Sequence, residues 1–192
     1  LESPGSGTFE IQDIEAITKI AKDKGIITVI DNTWATSRFL NPFKYGVDVS
    51  VQSLTKYISG HSDIILGSIS STDEVFSQIY KTFRNHGTIS CPDYCFLALR
   101  GLRTLDVRLK RHQENALIVA KWLEKHHLVE QVLHPALPNF VGHDLWKKYF
   151  TGSTGLFSFE LKNCTQDKLY KFINSLELFG KGLSWGGFET LI

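Results

Sequence analysis

Two short β-type runs constrain this chain more than anything else in it. IITVI at residues 26–30 is closed by Asp31, and VDVSVQSL at residues 47–54 runs into the SLTKY of Ser53 to Tyr57. Both are rich in the β-branched residues that favour strands. A helical pattern feeds the first: Ile11, Ile14, Ile17 and Ile20 recur at helical spacing with Ala21, and Gly25 stands where a helix stops. A helix followed by an apolar strand is half of a βαβ crossover, which favours a parallel sheet and an α/β fold. Ligand chemistry in open α/β sheets gathers at the carboxyl ends of strands, so Asp31 and Lys56 are candidates for one shared site.

The residue types specify what such a site could do. A lysine set among hydroxyls at a strand end can form a Schiff base with a carbonyl, and a pyridine-ring cofactor needs an acid to keep its ring nitrogen protonated. Asp31 is the candidate acid and Lys56 the candidate amine. Ser53 and Thr55 flank Leu54, so on an extended chain both hydroxyls point the same way, where they could hold a phosphate. The combination describes a pyridoxal-phosphate pocket. The same residue types also serve solubility in loops, and spacing alone does not choose between the two readings.

Longer segments do. DNTWA at Asp31 to Ala35, NPFKYGVDVSVQSLTKYISGHSD at Asn41 to Asp63, and SWGGFE at Ser184 to Glu189 resemble signature segments of the cysteine and methionine metabolism family of pyridoxal-phosphate enzymes. GLRTLDVRLKRHQENALIVAKWLEKH, HPALP and GHDLWKKYFTGSTGLFSFEL follow in the family's order, so the resemblance covers essentially the whole chain. It implies the aspartate-aminotransferase type of fold (fold type I): a mostly parallel sheet flanked by helices, then part of a smaller C-terminal α/β domain. Residues 1–102 would be the later part of the large cofactor-binding domain and residues 103–192 the first part of the small one. The implied cofactor is pyridoxal 5'-phosphate, held by Lys56, Asp31, Ser53 and Thr55.

Within the family the chain is most similar to the branch that cleaves cystathionine by β-elimination to homocysteine, pyruvate and ammonia. The expected substrate is thus a small amino-acid thioether. Ser184 and Trp185 are expected against the substrate's carboxylate, and the tryptophan is typical of that branch. The residue before the serine, often tyrosine there, is Leu183 here. The sister trans-sulfuration reactions, γ-synthesis and γ-elimination, share Asp31, Ser53, Thr55 and Lys56, so these residues leave them open. An inactive binding protein of the same fold is a further alternative. A Rossmann-type oxidoreductase is disfavoured, because no G-x-G-x-x-G stands between a strand and a helix. Family sites are completed between subunits, which implies a homotetramer.

Composition narrows the partners. Lysine plus arginine (21) nearly balance aspartate plus glutamate (20), which leaves no electrostatic footprint for nucleic acid or an acidic membrane. No apolar run approaches a bilayer's span and nothing at the start reads as a signal peptide, so a cytoplasmic protein is expected. Cys91, Cys95 and Cys164 lack a metal-type pattern and cannot all pair; free, mostly buried thiols are expected. The chain has no methionine and opens on LESPGSGTFE, which in the family follows a strand; a piece of a longer polypeptide is expected.

The remaining elements are read from periodicity. IILGSIS is a strand, Asp73 to Phe83 and Pro92 to Leu102 are helices, and Arg103 to His126 is a long helix with a stripe through Leu105, Leu109, Ala116, Val119, Ala120 and Leu123. Arg108, Lys110, Arg111 and Lys121 lie off that stripe and are read as a solvated or subunit-facing surface. A strand before HPALP, a short helix in GHDLWKKYF, a strand over Gly155 to Leu161 and a helix over Gln166 to Leu176 complete the chain. His61, Asp63 and His134 are read as structural, Trp34 as core, and Asn32 and Thr33 as turn or cap residues. The two glycines of SWGG would let backbone approach a ligand closely.

Overall fold

A computed structural model describes residues 1–192. Helix α1 (Ile14–Asp23) starts where the Asp13 carboxylate accepts the Ala16 amide, and the chain turns away at Gly25 with φ +64°. Ile14 and Ala21 are buried, whereas Ile17 and Ile20 of the same stripe are 38% and 58% exposed. The stripe is therefore wider than the surface that covers it.

Strand β1 (Val29–Asp31) is followed by the single-turn helix α2 (Thr36–Phe39), a 3-10 turn at Pro42–Tyr45, and strand β2 (Val49–Ser53). β1 and β2 pair in parallel with Asp31 opposite Val51. On the other side of β1, Glu2 makes an isolated parallel bridge to Asp31. Strand β3 (Gly67–Ser71) pairs antiparallel with β2, giving the order β1-β2-β3. The sheet is mixed for a local reason. A crossover carries the chain from β1 back to start β2 in the same direction, whereas the helix-free connection from β2 returns it the opposite way.

Helix α3 (Asp73–His86) ends at left-handed Gly87 and buries none of its residues. Helices α4 (Pro92–Leu102) and α5 (Leu105–Leu123) follow, the first with its proline in the opening turn, where the missing N–H costs nothing. Strand β4 (Val129–Leu133), helix α6 (His143–Tyr149), strand β5 (Ser158–Leu161) and helix α7 (Gln166–Ser175) complete the order, with β4 and β5 antiparallel in a second sheet. No helix is long and apolar enough to cross a membrane.

The larger core gathers Ile14, Ile30, Trp34, Leu40, Val47 and Tyr57 with Leu109, Tyr149 and Phe150. A smaller one holds Ala120, Leu123, Val129, Val132 and Leu137. α5 supplies both, Leu105 and Leu109 to the first and Ala120 and Leu123 to the second. Each fully buried leucine stabilises the fold by about 1.5–3 kcal/mol, so the predicted α5 stripe couples the two cores, except at Val119, which is 42% exposed. The cysteines depart from expectation: all are free, but Cys91 and Cys95 are exposed and Cys164 is half-buried. α4 leaves Phe96, Leu99 and Leu102 exposed as well, so Cys95, and Cys91 at its N-cap, belong to a helix that this chain covers only along Ala98 and Gly101.

Candidate active site

The carboxyl ends of the two parallel strands are tied together by polar side chains. Asp31 closes β1, and its Oδ1 accepts the Thr33 amide at 2.8 Å, a turn that aspartate favours. The Thr33 hydroxyl in turn accepts the Ser53 amide at 2.9 Å, joining the end of β1 to the end of β2. Asn32 points elsewhere and donates to the Leu40 carbonyl at 3.0 Å. Trp34 is core, with its indole N–H on the Leu156 carbonyl at 3.0 Å. The turn and core readings of these three residues hold, and the structure places Asp31 and Ser53 at one end of the parallel pair.

Beyond Ser53 the chain does not stay extended. Residues 54–59 coil into a tight turn in which Lys56 N–H donates to the Ser53 carbonyl at 3.2 Å and Gly60 N–H to the Lys56 carbonyl at 2.9 Å. The shared orientation of Ser53 and Thr55, which required a strand through both, is therefore not what the backbone provides. Thr55 Oγ1 accepts the Leu66 amide at 3.0 Å. Its only acceptor in the chain is the Leu66 carbonyl at a long 3.4 Å, which leaves the hydroxyl proton available to an anion. His61 is local, its Nδ1 lying 2.5 Å from the Ser59 carbonyl.

Two residues hold this turn from beneath. Tyr57 is 2% exposed, and its hydroxyl accepts the amides of Gly155 and Leu156 at 3.0 and 3.1 Å. Burial pushes its phenol up to about 12, so it stays a neutral anchor. Arg108 reaches over from α5 and forks onto the carbonyls of Tyr57 (2.7 Å), Ile58 (3.1 Å) and Gly101 (2.8 Å). It is thus a half-buried clamp on the residues following Lys56, not part of the solvated surface to which its place on the helix assigned it; burial lowers its pKa. The signal for it was a pair of glycines. A Cβ at Gly60 would lie 2.2 Å from the guanidinium, and one at Gly101 would lie 2.4 Å from the Ile58 and Ser59 carbonyls.

The SWGG segment closes over the turn from above. Lys56 Nζ donates to Ser184 Oγ at 2.8 Å and lies 5.3 Å from the Trp185 ring centroid, within cation–π range. Trp185 also packs on Tyr57, with ring centroids 5.2 Å apart. Gly186 has φ +81°, and a Cβ there would be 2.8 Å from the Tyr57 amide nitrogen. The close backbone approach expected of these glycines is real, but its object is the chain's own Lys56–Tyr57 peptide. Sequence reasoning also missed Ser62, which donates to Glu189 Oε2 at 2.6 Å and holds that carboxyl below its ordinary pKa.

The donor set suits a pyridine-ring aldehyde phosphate. Arg38, Lys110, Arg111 and Lys148 account for the chain's ion pairs, so the Lys56 amine is bound only to a hydroxyl. Asp31 spends Oδ1 on the Thr33 amide, and Oδ2 accepts no hydrogen bond from the chain. A cavity of about 500 Å³ lies elsewhere, between the sheet and α3; Ile27, Val29, Val51, Ile69, Ile79 and Phe83 line it, and its polar residues are Gln78, Thr82, His86 and Thr88, with no lysine or carboxylate among them.

Comparison with known proteins agrees with this chemistry. The family described as "Cys/Met metabolism PLP-dependent enzyme" matches residues 1–192. The chain is 48% identical over 193 residues to the L-alanine/L-glutamate racemase of Wolbachia pipientis wMel, covering 100% of this chain and 48% of that protein. It is 43% identical over 195 residues to the cystathionine beta-lyase MetC of Escherichia coli K12, covering 100% of this chain and 49% of that protein. Among solved structures, cystathionine gamma synthase from Xanthomonas oryzae pv. oryzae in complex with aminoacrylate and cysteine superposes with a TM-score of 0.95 at 36% identity, over 100% of this chain and 49% of that one. The chain spans about half the length of the curated relatives it matches.

Proposed function

Because the chain belongs to the family of Cys/Met metabolism PLP-dependent enzymes, we propose that the full-length protein is a carbon–sulfur lyase cleaving cystathionine by β-elimination to homocysteine, pyruvate and ammonia. The observation that carries the reading is the meeting of Lys56 with Ser184 and Trp185, residues 128 and 129 positions further along the chain, at one amine. Bound pyridoxal phosphate supplies an electron sink for the charge left when the substrate's α-proton is removed.

The chain's own residues supply the rest. Lys56 would hold the cofactor's aldehyde end, and its amine would remove the α-proton. Asp31 would keep the pyridine nitrogen protonated, with its Oδ2 the carboxylate oxygen that Thr33 does not occupy. Ser53 and Thr55 donate to the phosphate, Thr55 through the proton that its Leu66 contacts leave available. Ser184 and Trp185 face the substrate, with the serine hydroxyl orienting the lysine amine. In this reading residues 1–102 and 103–192 belong to the large and small domains of a cytoplasmic homotetramer.

A second reading is racemisation of a small amino acid, favoured by the 48% identity to the Wolbachia protein. It needs the same proton removal by Lys56 but returns a proton instead of expelling a thiolate. Products separate the readings. Full-length protein given cystathionine should release pyruvate and homocysteine; 2-oxobutyrate with cysteine would indicate γ-cleavage. Conversion of L-alanine to its D-form without pyruvate from cystathionine would establish the racemase.

A further inference from the structure

We propose that Ser62 and Glu189 form a clasp that holds the Ser184–Gly187 turn over Lys56, which makes Glu189 a positioning residue of the site. The proposal deepens the lyase reading and rests on it for its kinetic consequences, though not for its structural ones. The turn that carries Lys56 runs on to Ser62, which stands in the left-handed region at φ +55°. That conformation is uncommon for serine and directs its hydroxyl across the gap to Glu189, 127 residues further along.

Three contacts then fasten one segment to the other in parallel order. Lys56 meets Ser184 at 2.8 Å, the Lys56–Tyr57 peptide receives Gly186 without room for a Cβ, and Ser62 meets Glu189 at 2.6 Å. Gly187 confirms how tight the last contact is, since a Cβ there would lie 2.0 Å from Ser62 Oγ and 2.6 Å from Glu189 Oε2. No helix or strand contains residues 176–192, and their backbone pairing joins Gly180 and Gly182 to Thr190–Ile192, so side-chain contacts carry more of the task of placing Ser184 and Trp185 in the loop between. The clasp fixes the far end of that segment, and the Lys56–Ser184 bond is then made without first ordering a loop.

The test uses the full-length protein in two forms. In the cofactor-free protein, Glu189→Ala should speed hydrogen–deuterium exchange of the 183–190 amides by about 10-fold, the scale of one lost charge-assisted hydrogen bond. Glu189→Gln, whose amide oxygen still accepts from Ser62, should not. In the cofactor-loaded protein, Glu189→Ala should raise KM for the thioether substrate by about 10-fold while cofactor affinity and Tm stay unchanged. Ser62→Ala should reproduce the effect, and the double variant should be no worse than either single one. Unchanged exchange in Glu189→Ala, a Gln variant as impaired as the Ala one, or additive effects of the two sites would overturn the clasp. A wild-type protein that binds no cofactor would refute the lyase reading and leave the exchange result to decide the clasp.

Discussion

The amine of Lys56 and the hydroxyl of Ser184 lie 2.8 Å apart, although 128 residues separate them in the chain. The bond gives the lysine a polar partner that carries no charge. Such a partner orients the amine without forming an ion pair that a substrate would have to break. Ser184→Ala should lower kcat/KM by about 10-fold, the effect of one lost hydrogen bond at a partly exposed site, while leaving cofactor uptake intact. Steady-state kinetics beside a cofactor titration reads both.

Gly186 tests how closely the SWGG turn is seated. Gly186→Ala introduces a strained φ and a Cβ 2.8 Å from the Tyr57 nitrogen, and should cost about 2–3 kcal/mol. Gly7 has a similar φ of +79° but no atom within 4 Å of its built Cβ. Gly7→Ala should therefore cost only the backbone part, about 1 kcal/mol. The difference between the two in urea midpoint measures the seating alone.

Arg108 serves three carbonyls at once, and lysine cannot reproduce that fork. Arg108→Lys should destabilise the protein by about 2 kcal/mol because buried acceptors lose their donors. Arg111, whose side chain is 75% exposed beside Glu114, provides the contrast. Its replacement by alanine should shift stability by less than about 0.5 kcal/mol.

His134 predicts an acid-sensitive component of stability. The ring is fully buried, Nδ1 accepts the Ala136 amide at 3.1 Å, and burial lowers the pKa to about 4. Between the ordinary histidine value near 6.5 and about 4, the unfolded chain takes up a proton that the folded one refuses. Stability contributed by this group is therefore complete above that window, falls as the pH drops through it, and loses no more below it. The total is about 3 kcal/mol at roughly 1.4 kcal/mol per pH unit. His134→Asn keeps an acceptor for Ala136 and should remove that slope, as read from denaturation midpoints at pH 7, 5.5 and 4.

Much of this was legible because it is local. Strand-forming runs with polar ends put Asp31 and Ser53 at one end of the parallel pair, and Pro92 with the apolar spacing to Leu102 delimited α4. Thr55 was misread for its orientation because a strand that ends at Ser53 differs from one that ends at Thr55 only in where tertiary contacts bend it. Arg108 looked like any helix-surface cation, since what distinguishes it is the space left by Gly60 and Gly101, 48 and 7 residues away. The Ser62–Glu189 pair was hidden for the same reason: neither residue has a local pattern, and only the folded chain brings them together.

The most direct measurement is borohydride reduction of the purified full-length protein, followed by peptide mass analysis. A reduced pyridoxyl-phosphate adduct should be found on Lys56, and Lys56→Ala should bind the cofactor without that adduct and release no pyruvate. An adduct on another lysine, or pyruvate release undiminished by Lys56→Ala, would contradict the site described here.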